Sequence, residues 1–548
     1  MTGHSASDRP PRSSGRLDPV LLIAVLVAAA FLAVAVQALR LALFANGSGQ
    51  RMQLAEPIVR IYSRPDLVDR RGRLLATDLP SHSLFADPML VLDADEVSEH
   101  LAAVLPDLDA GELRAQLVDR TRRFVWIRRG LGPALAQRIH DMGLPGLAFR
   151  TEPKRVYPQG RVAGNVLGSV SVDNRGLSGI ERHLDEVLGL ETGYSGDFAR
   201  PPVTLTIDVG AQHGLEEELS LALAQYGASG AAGVIIDVAD GAVMAAATLP
   251  DIDPARPGEA LLGDRIDRLG VATYELGSVL KLFTVAMALE LGVATPGTVL
   301  DVRVPLQVGR WTIRDLVPSG RPLTVREVLV QSSNIGSAQL ALSVGAQRQR
   351  GFLARLGVIE TVRWEAGPMG VPRLPERWGE AETATIAYGY GIAVSPLQLA
   401  GAAVALVNGG LKVKPHLVEL LPGIVPIAPT EERVISTETS AHIRDMLRRA
   451  VASPGGTGRR ADVAGFEVGG KTGTAEMAQR GGYKSKSVVA SFLGAFPMSA
   501  PRYLLLVTLI EPRVEANGGT KITAGVNAAP IAARIIARTG PLLGVVPK

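Results

Sequence analysis

A serine and a lysine three residues apart, Ser278 and Lys281, stand at the head of an apolar run, Leu282–Leu291, that has almost no helix breakers before Gly292. The pattern predicts a helix starting near Gly277. Residues three apart on a helix share a face, so the amine sits beside the hydroxyl. A serine hydroxyl attacks poorly until a base takes its proton, and a desolvated lysine with a lowered pKa can be that base. Backbone N–H groups and the positive dipole end at a helix start favour both a neutral amine and a developing oxyanion. The chemistry outlined is acyl transfer through a serine. The competing reading is an exposed helical serine and lysine, because two specified positions in four arise readily by chance. Composition argues against it. Only nine of the 57 basic residues are lysine, and arginine, which this chain otherwise prefers, cannot be deprotonated in a protein.

Two later stretches carry compatible groups. Gln331-Ser-Ser-Asn-Ile335 follows a predicted helix over Val325–Leu329. Its polar residues either cap the next helix, which runs through Ala341, or serve a site. In the second case Ser332 relays a proton near the lysine and Asn334 holds a substrate amide. Gly469-Gly-Lys-Thr-Gly-Thr-Ala475 satisfies a phosphate-binding loop literally when counted from Gly465. Such a loop needs a helix after Thr472, and Gly473 and Gly481-Gly482 stand there instead. As a strand, the same stretch sends Thr472 and Thr474 to one face and Lys471 to the other or to the strand's end. Gly473 then admits a second backbone. Two hydroxyls and an ammonium suit a carboxylate, and a strand N–H can donate to an oxyanion.

The chain has 548 residues, 47% of them hydrophobic, which predicts more than one domain with buried cores. A net charge of +3 without a long basic block excludes a nucleic-acid partner as the reading. There is no cysteine, hence no disulfide or thiolate, and no histidine grouping suggests a metal site. Val20–Val36 is apolar and uncharged, and its continuation to Phe44 admits only Gln37 and Arg40 as interruptions. That length crosses a bilayer, and Arg9, Arg12 and Arg16 before it place the N-terminus in the cytoplasm. The alternative is a cleaved signal peptide, whose apolar core is usually shorter. Residues 46 to about 200 mix strand-like pieces such as Ser81–Phe85 with an amphipathic stretch, Glu96–Leu105, and end in a linker at Gly196–Pro202. Then come a strand (Val203–Ile207), a helix (Ala211–Leu223) and a hairpin with Asp240-Gly241 as its turn. Three late strands, Lys471–Ala475, Ser487–Ala495 and Tyr503–Ile510, precede a closing helix, Pro530–Ala537. Strands from both ends of a segment around a helical insert predict an α+β architecture.

The order Ser278…Lys281, Ser332…Asn334, Lys471-Thr-Gly473 resembles that of the penicillin-binding proteins. Asp69-Arg-Arg-Gly-Arg-Leu-Leu-Ala76, Arg155-Val-Tyr-Pro158 and Gly176-Leu-Ser-Gly-Ile-Glu181 are similar to the pedestal of the class B, monofunctional group, and Tyr388-Gly-Tyr-Gly391 with Pro396-Leu-Gln398 to its transpeptidase domain. Phe124-Val-Trp-Ile-Arg-Arg129, Asp173-Asn-Arg-Gly176 and Tyr274-Glu-Leu-Gly277 resemble the division-specific enzyme more than the elongation one. Many relatives have proline where Leu276 stands and Thr-Phe where Val279-Leu280 stand; no reacting group is affected.

The resemblance implies a cytoplasmic tail (1–17), a transmembrane anchor (18–44), an elongated mixed pedestal (45–200) and a transpeptidase domain (201–548) with a five-stranded antiparallel sheet, flanking helices and a helical subdomain. It places the chain in the cytoplasmic (inner) membrane, with its catalytic domain outside. The implied activity is a peptidoglycan D,D-transpeptidase of the septum. Ser278 is its nucleophile and Lys281 the base, with the Ser278 and Thr474 N–H groups as oxyanion donors. Ser332 returns a proton and Asn334 positions the substrate; Lys471, Thr472, Gly473 and Thr474 form the carboxylate site. No cofactor or metal is implied. The implied partners are stem peptides, β-lactams as covalent inhibitors, a polytopic lipid II glycosyltransferase and other division-complex membrane proteins. Competing expectations are an elongation enzyme, a tethered β-lactamase or D,D-carboxypeptidase, and an inactive division scaffold.

Overall fold

The computed structural model describes residues 19–44, 63–188, 201–420, 432–479, 482–513 and 523–548. Two compact units result, Met1–Arg60 and Ile61–Lys548. In the first, the described residues form α1 (Pro19–Phe44), a helix that follows from an apolar sequence without helix breakers. Its described side chains, 25–37, are exposed. Among the described residues no helix is long and apolar enough to cross a membrane. The arginines that flank the expected anchor lie outside the described residues, as does most of the linker expected at Gly196–Pro202.

The N-terminal part of the second unit is built on β1 (Leu67–Val68), the long β2 (Leu74–Ala86), β3 (Val125–Leu131) and β4 (Leu147–Val156). β2 pairs antiparallel with β1, β3 and β4. Leu84 and Ala86 of β2 pack beneath α2 (Ala94–Val104), α3 (Ala110–Val118) and α4 (Pro133–His140). The helix starts are written locally. Asp93 accepts from the N–H groups of Asp95 and Glu96, Asp109 accepts from that of Glu112, and Pro133 opens α4. Two of the resemblance motifs meet in a buried ionic knot. Glu181, on α5 (Gly179–Leu188), takes Arg64 Nε at 2.7 Å on one oxygen and Arg155 Nε at 2.7 Å on the other. Removing one member of such a pair costs about 3–5 kcal/mol, because a desolvated charge is left behind.

Chain from beyond residue 200 completes this sheet. β5 (Val203–Leu205) runs parallel to β1, and the strand Val418–Leu420 pairs with β5. After α6 (Val209–Tyr226) come β6 (Gly230–Asp237) and β7 (Val243–Leu249), whose tight connection uses Gly241 at φ +88. They join β8 (Gly469–Gln479), β9 (Gly482–Phe496) and β10 (Tyr503–Ile510) in a five-stranded antiparallel sheet of order β8-β9-β10-β6-β7. The sheet is covered on both faces. Ile235, Leu505 and Val507 pack with α6 and the closing helix Ala528–Leu542, while Val234, Ile236, Leu504 and Leu506 pack with the helical insert. Two-sided burial explains why these strands read as continuous apolar runs.

Candidate active site

The expected helix at Gly277 starts differently. Gly277–Leu280 is a 3₁₀ turn, and α7 (Lys281–Glu290) continues from it. Side chains three apart eclipse in a 3₁₀ turn, which aligns Ser278 and Lys281 more closely than an α-helix would. Ser278 is half-buried and Lys281 is 1% exposed. Glycines let this turn lie against β8, the edge strand. Gly277 has φ +56, and a Cβ there would come within 2.6 Å of the Thr474 carbonyl oxygen. A Cβ on Gly473 would overlap the Leu276 carbonyl oxygen, and one on Gly389 that of Gly277. Gly473 thus performs the close approach read from its sequence.

The N–H and C=O of one strand residue point to the same side. The Thr474 N–H therefore faces the same open edge as its carbonyl, toward the turn that carries Ser278. Two residues on, the Glu476 N–H donates to the Tyr390 hydroxyl, as period two requires of that edge. The first N–H groups of a helical turn lack intrahelical acceptors. The Ser278 and Thr474 amides are thus the available pair of oxyanion donors.

The Ser332–Asn334 turn divides its labour. Ser333 is the N-cap of the helix Asn334–Val344 and accepts from the Gly336 N–H. Ser332, at φ +65, closes the preceding helix, α8 (Val325–Gln331). Capping by Ser333 leaves its neighbours' side chains for the lysines. Lys281 Nζ lies 2.6 Å from the Ser332 carbonyl, 3.0 Å from Ser332 Oγ and 2.7 Å from Asn334 Oδ1. Lys471 Nζ reaches the same Ser332 Oγ at 3.0 Å. One hydroxyl thereby links the two amines. The Thr474 hydroxyl accepts from the Ala524 N–H, so its own proton is left to donate. Asn334 Nδ2 gives one proton to the Arg314 carbonyl and keeps a second.

Burial pushes Lys281 well below the ordinary lysine range; the nearby Lys471 charge adds to this and Asp315 opposes it. Lys471, 0% exposed, is lowered to about 7 by burial. A neutral amine beside an activated hydroxyl and an ammonium beside threonines can divide one acyl transfer between base and anion binder.

Two residues of this centre have no sequence signal. Asp315 accepts from Ser333 Oγ (2.7 Å), the Asn334 N–H (2.5 Å) and the Ile335 N–H (3.0 Å), and so holds the whole turn. Thr457 Oγ1 takes Thr472 Oγ1 at 3.0 Å and lies 3.5 Å from Lys471 Nζ. Asp315→Ala is expected to slow modification of Ser278 by a mechanism-based acylating inhibitor about tenfold or more, since an anchor with several charge-assisted hydrogen bonds is lost. Asp315→Asn, which keeps acceptors, falls between. Stopped-flow acylation of the two variants checks the order. Among the described residues no group of histidines and carboxylates could hold a metal ion.

A family model described as the penicillin-binding protein transpeptidase domain matches residues 231–537, and one described as the penicillin-binding protein dimerisation domain matches residues 62–196. The probable peptidoglycan D,D-transpeptidase FtsI of Caulobacter vibrioides is 38% identical over 490 residues, covering 88% of this chain and 82% of the relative. The peptidoglycan D,D-transpeptidase FtsI of Escherichia coli K12 is 30% identical over 496 residues, covering 85% and 82%. Among solved structures, the transpeptidase domain of Burkholderia pseudomallei penicillin-binding protein 3 superposes with a TM-score of 0.55 at 31% identity, covering 63% of this chain and 97% of that one. Penicillin-binding protein 3 of Mycobacterium tuberculosis, complexed with aztreonam, gives 0.69 at 24% identity over 89% and 97%, a likeness of fold.

Proposed function

The chain belongs to the class B penicillin-binding proteins, and from that premise we propose that it cross-links peptidoglycan stem peptides as a D,D-transpeptidase of the division septum. The observation that carries this is the buried Lys281 amine, on the residue that closes the 3₁₀ turn of Ser278 and joined through Ser332 to Lys471. Lys471, Thr472 and Thr474 hold the terminal carboxylate of a D-Ala–D-Ala donor, and the remaining Asn334 Nδ2 proton meets a donor carbonyl. Lys281 takes the Ser278 proton as Oγ forms a bond to the penultimate carbonyl carbon. The oxyanion rests on the Ser278 and Thr474 N–H groups, where one such donor contributes about 3 kcal/mol. The C–N bond then breaks, and the leaving D-alanine amine receives the proton through Ser332. A second stem peptide's amine attacks the ester and loses its proton to Lys281; the C–Oγ bond breaks, and Lys281 passes that proton to Ser278 Oγ, which restores the free hydroxyl and the neutral amine. β-Lactams acylate the same oxygen.

The acidic and alkaline limbs of this reaction have different owners. Below its lowered pKa Lys281 is protonated and cannot act as base, so the acylation rate falls with falling pH. Above about 7 Lys471 loses its charge and attracts a carboxylate less. The second-order rate constant for a carboxylate-bearing β-lactam is therefore expected to be bell-shaped, with values belonging to the coupled pair. An analogue whose carboxylate is amidated keeps the acidic limb and loses the alkaline one. The paired profiles check it.

We further infer a single-pass anchor at residues 18–44, with the catalytic part outside the cytoplasmic membrane near a polytopic lipid II glycosyltransferase; the uncharged apolar run Val20–Val36 and its continuation to Phe44 in the sequence support this. Donor pentapeptide with an acceptor amine separates the alternatives: acceptor-dependent release of D-alanine supports transpeptidation, and rapid turnover of a chromogenic cephalosporin a hydrolase. Depletion in cells separates septal from elongation duty, filaments supporting the first and rounded cells the second.

A further inference from the structure

The stretch Phe124–Arg129 takes no part in the site above, yet it builds an ordered surface. Along β2, Leu84 turns toward the helices while Phe85 turns the other way. Phe85 stands opposite Trp126 across the β2–β3 pair. Phe124 stacks on Phe85 with ring centres 4.7 Å apart and meets Trp126 edge-on at 4.8 Å. All three rings are half-exposed. The Arg129 guanidinium lies 4.9 Å from the Trp126 ring centre. The same arginine lines a cavity of about 210 Å³ on this face of the sheet, with Ser81, Ser83, Glu152 and Lys154.

The polar groups of the cavity are already oriented. Glu152 is buried and takes Arg129 Nε at 2.9 Å and Ser83 Oγ at 2.6 Å. Arg129 Nη1 is held by Asp173 at 2.6 Å, and Lys154 Nζ by the Gly130 carbonyl at 3.0 Å. A packing-only aromatic cluster would be closed over. Here there is instead a half-buried cluster of three rings, Phe124 perpendicular to Trp126, joined through Arg129 to fixed hydroxyl, carboxylate, guanidinium and ammonium groups. That combination suits a ligand with a C–H face to lie on negative ring faces and hydroxyl and amide groups around its rim. A pyranose ring has both. We propose that this face of the pedestal sheet binds a glycan strand of N-acetylated aminosugars, with a sugar ring seated in the corner between the perpendicular Phe124 and Trp126 rings and its polar rim in the Arg129–Glu152–Lys154 cavity. The choice of peptidoglycan glycan as source rests on the function proposed above; the carbohydrate class rests on the face itself.

The test uses the full chain in detergent and chitohexaose as probe. Titration is expected to change tryptophan fluorescence saturably, and Trp126→Phe to abolish most of that signal. Phe124→Leu is expected to weaken binding about tenfold, the upper range for one aromatic contact, as read by calorimetry. Lys154→Gln, a surface change, guards against loss of fold and is expected to weaken binding severalfold. Acylation of Ser278 by a β-lactam should be unchanged in all three, which separates this face from the transpeptidase reading. Absence of saturable binding by millimolar chitohexaose, or equal binding by Phe124→Leu and the parent, overturns the proposal. So does binding of a sugar-free stem peptide to this face with chitohexaose excluded.

Discussion

Replacing Lys281 with arginine is expected to slow β-lactam acylation of Ser278 by about 10²- to 10⁴-fold, the range that one positioned general base supplies. The substitution keeps a cation three residues from the serine but removes the possibility of a neutral amine. Lys281 is enclosed at 1% exposure with Lys471 nearby, so the site already disfavours a second charge there. Lys281→Met is expected to lose a similar factor, because both variants lack a base. A thermal melt beside the kinetics shows whether each variant folds. Wild-type acylation by folded Lys281→Arg would remove Lys281 from the role of base.

The second large effect is expected from a methyl group on Gly473. This residue has no left-handed backbone requirement, but its Cβ would overlap the Leu276 carbonyl oxygen and sit 2.7 Å from Val279 Cγ2. Both contacts belong to the turn that carries Ser278. Gly473→Ala therefore pushes that turn off β8 and separates the Ser278 and Thr474 amides. Removing one oxyanion donor costs about 10²–10³ in rate, and acylation by Gly473→Ala is expected to fall by at least that much. The melting temperature should drop far less than for an unfolded active domain. Undiminished acylation in this variant would mean that the two amides do not act together.

The strands and the reacting groups were legible because their signals are local. Asp240-Gly241 marks a hairpin, the apolar runs of β9 and β10 mark buried strands, and Ser278 with Lys281 carries its own spacing. The start of the helix was less legible: the 3₁₀ turn Gly277–Leu280 is entered through Gly277 at positive φ, and apolar periodicity does not distinguish such a turn from an α-helix. Asp315 and Thr457 were illegible because each is a single polar residue in a loop. Each acts on a group distant in sequence, 19 residues away for Asp315 and Asn334 and 15 for Thr457 and Thr472. The pairing of Val418–Leu420 with β5 was hidden for the same reason, since neither short strand carries its partner's address. The sequence also left open which of the residues 332–334 caps the helix; hydrogen bonding assigns that task to Ser333.

Transpeptidation by this chain depends on Ser278 becoming an acceptor of acyl groups under the influence of a desolvated amine. Intact-protein mass spectrometry after exposure to benzylpenicillin, followed by peptide mapping, tests this most directly. A single adduct on Ser278, absent from Ser278→Ala, is the predicted result; well-folded protein with no adduct, or with the adduct on another residue, contradicts it.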